Sequence, residues 1–415
     1  NRIGNRTNFQ RALVSYRYVP SERFENALRA SVGRDRFDVT LGQFVEHLYA
    51  DSAQFRDSAR LRLTRWATLS GGVDALVQHW TASARMPMPP REGTEQHDLS
   101  QVMQTEADEY HWSPGGWAEV EVQPGPRWLL VPGLRCDYFS KIDQATFAPR
   151  FSARYAVEDR LAFKAGVGLY YQEPTVDQTN QDFGNPLLKA ERALHLSTGV
   201  EWKAWSLLSL DVTGFYKALD HLVSPTSTTR TESGRDIPLR YDNNGEGRVY
   251  GLEVVLRREP IHRLSGWLAY TLSRSERRDS VESSYRLFQH DQTHILTAVA
   301  MLRLPANWQL STRFRLVSGK PATPVIGAVN NLDVDDYKPI LGAKFSTRNP
   351  AFIQWDLRID KKWVFDRFLL NAYLDVQNVT NRSNVEEPDY NFDYRRKKTE
   401  TSMPLYPIFG LRAEF

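Results

Sequence analysis

The stretch Phe368-Leu369-Leu370-Asn371-Ala372-Tyr373-Leu374-Asp375-Val376 decides how the chain folds. Phe368, Leu370, Ala372, Leu374 and Val376 are apolar, and Asn371, Tyr373, Asp375 and the following Gln377 carry polar groups. A helix brings residues three and four apart onto one face and would mix the two sets; a strand separates them cleanly. The same period of two runs through Leu161–Leu169, with Leu161, Phe163, Ala165, Val167 and Leu169 against Lys164. It recurs in Trp308–Leu316, against Arg313 and Arg315, and in Ile353–Asp360, against Asp356, Arg358 and Asp360. The chain is read as all-β.

Composition narrows the classes. The 415 residues carry 53 basic and 50 acidic groups, a net charge of +3 that makes no case for nucleic-acid binding. Eleven Trp, 18 Tyr and 20 Phe argue against disorder. No stretch approaches the roughly 18–20 apolar residues of a spanning helix. The single Cys136 excludes a disulfide framework and a cysteine zinc site. A mean hydropathy of −0.51 looks soluble, yet a membrane barrel hides from hydropathy because its strands alternate. Asn1 stands where an initiator Met would, so any leader is expected to have been removed.

The connections separate a soluble β protein from a barrel. Turn signals are read at Gly33–Asp35, Leu69–Gly72, Pro124–Pro126, Glu158–Asp159, Glu259–Ile261, Pro305–Ala306 and Val364–Asp366. Longer connections are read over 85–110, 173–192, 220–240, 276–290, 319–350 and 380–402. Short and long alternate, which places all short turns at one end of antiparallel strands. Short periplasmic turns with long extracellular loops mark an outer-membrane barrel. The tally of about eighteen strands is even and predicts both termini at the short-turn end; barrels of that size enclose a wide lumen.

With apolar faces toward lipid, the lumen is expected to hold Arg60, Arg62, Lys164, Asp211, Glu253, Arg257, Arg313, Arg315, Asp356, Arg358, Asp360, Asn371 and Asp375. Charges of both signs there require water or a polar insert. Trp66, Trp80, Trp128, Trp202, Trp205, Trp267, Trp308, Tyr170 and Tyr171 are expected in interfacial girdles. Phe409, Leu411, Ala413 and Phe415 alternate with Gly410, Arg412 and Glu414. This aromatic ending resembles the signal read by the outer-membrane barrel assembly machinery, with Phe409, Leu411 and Phe415 as its residues.

From about Gly133 onward the sequence resembles the C-terminal barrel of TonB-dependent outer-membrane receptors. Asn185-Pro186-Leu187-Leu188-Lys189-Ala190-Glu191-Arg192 is similar to the family's Asn-Pro-x-Leu-Lys-Pro-Glu loop, with Ala190 where Pro is usual. Asn244-Gly245-Glu246-Gly247-Arg248-Val249-Tyr250-Gly251-Leu252-Glu253 resembles a family strand; so does His290-Asp291-Gln292-Thr293-His294 followed by Leu316-Val317-Ser318-Gly319-Lys320-Pro321. Asp375-Val376-Gln377-Asn378-Val379-Thr380-Asn381 resembles the penultimate strand. The resemblance implies uptake of a scarce, siderophore-like solute with energy delivered by TonB. It also implies a plug and a TonB-contacting segment, neither of which is found in the sequence. The whole of 1–415 reads as one barrel domain, and the count falls about four short of twenty-two. The shortfall is expected at the N-terminal side, in a larger receptor, although a reduced plugless relative also fits.

Candidate sites are few. His290, Asp291 and His294 invite a metal reading, but strand positions four apart lie roughly 13 Å from each other, so they are read as a solvated strand end. His97, Asp98, Glu106, Asp108, Glu109 and His111 could attract a cation, although hard-cation sites need tighter oxygen arrangements; no metal or cofactor is expected. Tyr390, Phe392, Tyr394, Arg395 and Arg396, with Lys397 and Lys398, set aromatic rings beside cations and suit an anionic or aromatic small-molecule ligand. Lipopolysaccharide contact is the plainer reading of the same cluster. No nucleophile elbow, His-Glu-x-x-His or Walker loop is present, so no enzyme is read. The expected partners are membrane lipid, lipopolysaccharide, the assembly machinery and TonB. Two other readings use the same scaffold: a plugless passive pore, and a structural or surface-assembly anchor.

Overall fold

Alternating segments joined by tight returns pair with their sequence neighbours, and this chain does so throughout. The computed structural model describes residues 3–87, 102–181, 184–232, 235–259, 263–331 and 336–415. The first strands are β1 (Ile3–Ser21), β2 (Phe24–Leu41), β3 (Phe44–Arg62), β4 (Ala67–Pro87) and β5 (Val102–Val122). They are followed by β6 (Trp128–Phe139), β7 (Gln144–Glu158), β8 (Leu161–Gln172), β9 (Glu191–Trp205) and β10 (Leu208–Pro225). A hairpin of β11 (Thr229–Glu232) and β12 (Arg235–Pro238) precedes β13 (Tyr241–Arg258) and β14 (Leu264–Arg278). Next come β15 (Arg286–Leu287), β16 (His294–Leu304), β17 (Trp308–Val317) and β18 (Pro321–Ala322). A second hairpin, β19 (Val325–Asn331) and β20 (Asp336–Leu341), leads to β21 (Thr347–Arg348), β22 (Phe352–Val364) and β23 (Leu369–Gln377). A third, β24 (Val385–Tyr390) and β25 (Lys397–Thr401), precedes β26 (Tyr406–Glu414).

Eighteen of these form one sheet, and every pairing is antiparallel, as in β1–β2 and β23–β26. Among the described residues β1 pairs only with β2 and β26 only with β23, so the curved sheet has two free edges. The early strands are long: β4 and β5 have 21 residues each, against nine in β23 and β26. About 9–11 residues cross a bilayer, so β1–β5 project well beyond it at the long-connection end. Charged pairs on their convex face, Arg34–Asp51 and Arg36–Asp38–His47, occupy that overhang.

Several turn expectations fall where expected: returns follow β5 at Pro124–Pro126, β7 at Asp159, β16 at Pro305 and β22 near Asp366. Glu259 follows β13, and the rest of that turn lies outside the described residues. Two expectations are corrected. Gly33–Asp35 lies inside β2 and Leu69–Gly72 inside β4; the returns are at Glu22–Arg23, Gly42–Gln43 and Leu63–Trp66. Gly33 and Gly72 make room for neighbours, since a Cβ would stand 3.0 Å from Ser52 Oγ at the first and 2.9 Å from Trp117 Nε1 at the second. Gly42, at φ +63°, is the true turn glycine.

The expectation for the termini is also corrected. β15 spans two residues and crosses nothing, leaving seventeen crossing strands. β1 therefore starts at the long-connection end while β26 finishes at the other. Nor are all connections at the first end long, since Gly42–Gln43 and the short η turn Ser140–Ile142 also lie there. Of the segment read as a loop over 85–110, residues 85–87 belong to β4 and 102–110 to β5, and 88–101 lie outside the described residues. Glu106, Asp108, Glu109 and His111 are strand residues, and His97 and Asp98 lie outside the described residues.

Candidate functional site

Curvature decides which face of each strand meets the others. A cavity of about 800 Å³ is lined by Arg29 of β2, Arg56 of β3, Trp117 of β5, Arg135 of β6, Arg150 of β7 and Lys217 of β10. Residues eight strands apart share one space only on the concave side, so this set identifies the lumen face. The cross-strand registers carry that face around the sheet: Arg150 is opposite Gly168, Gly168 opposite His195, and His195 opposite Lys217.

The same registers place Arg60, Arg62, Lys164, Asp211, Glu253, Arg257, Arg313, Arg315, Asp356, Arg358, Asp360, Asn371 and Asp375 on this face. They fall into three groups. At the short-turn end Arg60 pairs with Glu121 at 2.9 Å, and Arg62 lines the same pocket. Lys164 pairs with Asp211, and Glu253 and Arg257 share their pocket. Farther round, Arg313 holds Asp356 at 2.6 Å and Arg358 holds Asp360 at 2.8 Å, with Asp375 opposite Arg358. Arg315 lies over the Phe352 ring. These partly wet pairs add little stability each, about 0–1 kcal/mol. Their effect is to fix side chains along a wall that faces water.

Sequence reading missed the densest part of that wall. Arg135 bridges Asp74 at 3.1 Å and Asp137 at 2.6 Å, and Arg56 reaches Asp74 at 3.4 Å. Tyr170 stacks on His195 at 4.3 Å with Arg150 on its ring, also at 4.3 Å. Lumen-facing glycines make this possible. A Cβ at Gly168 would stand 3.1 Å from Arg150 Cγ and 3.2 Å from the Tyr170 ring; at Gly115 it would collide with Asp137 and Arg135. Trp117 over Gly72, Phe215 over Gly251 and Tyr373 over Gly410 repeat the device. Large side chains lie flat against the sheet and leave the lumen wide. The alternation Leu134, Cys136, Tyr138 against Arg135 and Asp137 was the available signal, masked by the glycines and prolines around it.

The loop motifs act as latches at the rim. Asn185 donates from Nδ2 to the Tyr241 carbonyl at 2.9 Å, while its Oδ1 accepts the Leu187 N–H. The Ala190 N–H reaches Gln144, the Val223 N–H reaches Glu191, and Leu188 is 2% exposed between them. Asp291 is 1% exposed, which corrects its reading as part of a solvated strand end. It accepts the Ser275 N–H and the Thr293 hydroxyl and pairs with Arg348 from the 318–351 connection. Asn384 both accepts from and donates to the backbone of Ile353, at 2.9 Å each way. Asn378, at φ +51°, bonds the carbonyls of Arg382 and Met403.

Above the rim, the β24–β25 tip gathers Tyr390, Phe392, Tyr394, Arg395 and Arg396. Tyr390 and Tyr394 are 5.9 Å apart, and Phe392 meets Tyr337 of the β19–β20 hairpin edge-on at 5.9 Å. Phe392 is 78% exposed, and Arg395 lies 3.8 Å from Asp393.

On the convex face, Trp128 against Tyr155, Trp202 near Trp205, and Trp308 and Trp363 flanking Lys361 form a girdle at the short-turn end. Tyr171 faces outward near the other end. Trp80, Trp267 and Tyr170 are corrected: register and pocket place them on the lumen face, and Trp66 lies in a turn. Phe409 and Leu411 project outward from the edge strand, and Phe415 closes on Phe368 at 6.1 Å.

A convex aromatic girdle, a charged concave wall and long latched connections at one end define an outer-membrane β-barrel. The chain matches the family of TonB dependent receptor-like β-barrels over residues 2–379 and belongs to it. A 102-residue stretch is 28% identical to the ferric enterobactin receptor of Pseudomonas aeruginosa, covering 20% of this chain and 13% of that one. Among solved structures, the ferric-catecholate import receptor Fiu of Escherichia coli superposes with TM-score 0.66 at 12% identity, over 99% of this chain and 64% of the other. The FrpB iron transporter of Neisseria meningitidis gives 0.68 at 15%, over 98% and 63%. The pyoverdine receptor FpvA of Pseudomonas aeruginosa gives 0.69 at 13%, over 99% and 62%. The chain thus spans under two thirds of each of these proteins, and at such identities the likeness is one of fold.

Proposed function

We propose that the protein takes up a scarce solute, of the iron-chelate class, across the outer membrane with energy delivered through TonB. The observation that carries this reading is the wide lumen itself, its charged side chains laid flat and its rim crowned by latched loops. A scarce solute must be captured before it crosses, and the tip bearing Tyr390, Phe392, Tyr394, Arg395 and Arg396 offers rings and cations for an anionic or aromatic chelate. The outer membrane holds no ATP, so concentrative import needs a mechanical partner, and TonB fills that role in the family. The relatives named above carry ferric enterobactin, ferric catecholate and pyoverdine in their names, which supports a chelate over other solutes. Lipopolysaccharide around the overhanging strands and the assembly machinery at Phe409, Leu411 and Phe415 complete the proposed partners. No catalytic step is assigned.

The test is accumulation of labelled ferric chelates, cobalamin and glycans by cells expressing the full-length gene in a host without its own receptors, with TonB present or deleted. Accumulation of one chelate only when TonB is present is the expected result. Equal passage without TonB, or a steady large conductance in planar bilayers, would assign a passive pore instead. Within a positive result, Arg395→Ala with Arg396→Ala should weaken chelate binding about tenfold.

A further inference from the structure

The convex face of β13 and β14 carries an arginine cluster that the lumen does not use. Lys217 faces the lumen opposite Val249, so the next residue, Arg248, points outward, and the register turns Glu276 and Arg274 outward with it. Arg248 Nε donates to one oxygen of Glu276 at 2.7 Å, and Arg274 Nε donates to the other at 2.6 Å. The carboxylate side chain is only 7% exposed, whereas the two arginine side chains are 40% and 53% exposed. One buried negative charge thus fixes two outward positive ones.

The cluster is braced from above and placed by the strand below it. The Tyr285 ring lies 4.4 Å from the Arg248 guanidinium and 4.9 Å from that of Arg278, which Glu246 holds in turn. Below Arg248 the outward positions of β13 are Tyr250, Leu252, Val254 and Leu256, and the next charge is Arg258. Arg258 and Arg248 are ten positions apart, and a tilted strand crosses a bilayer in about 9–11 residues. Arg248 and Arg274 therefore stand at the outer boundary of the bilayer, on the long-connection side. Both strands lie inside the sheet, β13 paired with β10 and β14, and β14 with β16. An insert in the lumen meets their other face.

We propose that Arg248 and Arg274 hold a phosphate monoester of the outer-leaflet glycolipid, lipopolysaccharide. With each Nε engaged by Glu276, the terminal nitrogens of both guanidinium groups serve the incoming anion, and arginine binds phosphate through such paired donors. A monoester carries close to two negative charges at neutral pH and three acceptor oxygens, enough for two guanidinium groups at once. A phosphodiester headgroup has one charge and two such oxygens, which selects the glycolipid over a glycerophospholipid. The carboxylate beneath keeps the two cations together and leaves the trio with one net positive charge. The proposal rests on the lipopolysaccharide partnership given above and assigns it a site; it is independent of the solute and of TonB coupling.

The test is native mass spectrometry of the full-length protein in detergent micelles, titrated with bisphosphorylated lipid A. Saturable binding that weakens about tenfold in Arg248→Gln with Arg274→Gln is expected. Adding Glu276→Gln, which removes the carboxylate that those changes leave unpaired, should give the same loss. Lipid A stripped of both phosphates should bind the parent as weakly as intact lipid A binds the variants. Arg258→Gln with Lys361→Gln removes outward cations at the opposite boundary and should leave binding unchanged; retained heat-modifiable gel mobility shows that each variant is folded. Undiminished binding in the double and triple variants, or an equal loss in the Arg258 and Lys361 pair, overturns the site and leaves the lipopolysaccharide partnership standing. Failure of the parent to bind lipid A overturns both. Displacement by equimolar phosphatidylglycerol or inorganic phosphate overturns the proposal too, by assigning the arginines to any anionic lipid or to the free ion.

Discussion

At the scale of single residues, the glycines of the sheet divide by what a methyl group would meet. Gly251 faces the lumen, and a Cβ there would stand 2.3 Å from the Leu272 carbonyl and 2.8 Å from Phe215. Gly214 has only the Thr198 carbonyl, at 3.9 Å. Gly251→Ala must shift both the Leu272 backbone and the Phe215 ring, a cost of about 1–3 kcal/mol, whereas Gly214→Ala should stay within about 0.5 kcal/mol of the parent. Urea unfolding of the protein in vesicles should show a lowered midpoint for the first alone; equal midpoints would mean that neither the Leu272 carbonyl nor the Phe215 ring crowds Gly251. Gly33 and Gly72 show why sequence reading mistook such positions. A glycine amid polar residues carries the composition of a turn, and nothing local reveals that Ser52 or Trp117, distant in sequence, occupies the vacated space.

At the scale of elements, the latches separate the stability of the connections from that of the sheet. Asn384 is 1% exposed and satisfies both the N–H and the C=O of Ile353. Asn384→Ala removes the partner of two half-buried backbone groups, a cost of about 1–3 kcal/mol in all, but breaks no ladder bond of β17, β22 or β23. The expected outcome is faster proteolysis within 378–405 with the unfolding midpoint of the sheet nearly unchanged. Asp291→Ala should do the same for 318–351, since Arg348 then loses its carboxylate; a uniform loss of sheet stability would contradict the latch assignment. The strands themselves were legible, because period-two alternation is a local property that register preserves. So were most returns after β5, where Pro and Asp mark them. The latches were visible only as family-like motifs, and Asp291 looked like a solvated strand end because its partners Ser275 and Arg348 are far along the chain. The lumen list drawn from alternation reached Arg60 through Asp375 but omitted Arg135 and Tyr170, whose strands are interrupted by Pro132, Gly133, Gly166 and Gly168.

At the scale of the whole molecule, the two faces of one sheet solve opposite problems, and tryptophan samples both. Trp128, Trp202, Trp308 and Trp363 lie on the convex face near the short turns, where the ring can bury in acyl chains while its N–H reaches the headgroup level. Trp80, Trp117 and Trp267 lie on the concave face, and Trp117 rests over Gly72 beside the Arg135 cluster. Neither composition nor alternation alone distinguished the two sets, because a large ring at a strand end fits a girdle and a lumen equally; the cross-strand register decides. In full-length protein reconstituted with brominated lipids, variants retaining only Trp128, Trp202, Trp308 or Trp363 should be strongly quenched by bromine and little affected by aqueous iodide. Variants retaining only Trp80, Trp117 or Trp267 should show the reverse. Iodide should also reach Trp117 less readily than Trp80, since the first lies flat at mid-wall while the second opens onto the overhang of β1–β4. Lipid quenching of Trp117 would turn the sheet inside out and remove the lumen from which the uptake reading is argued.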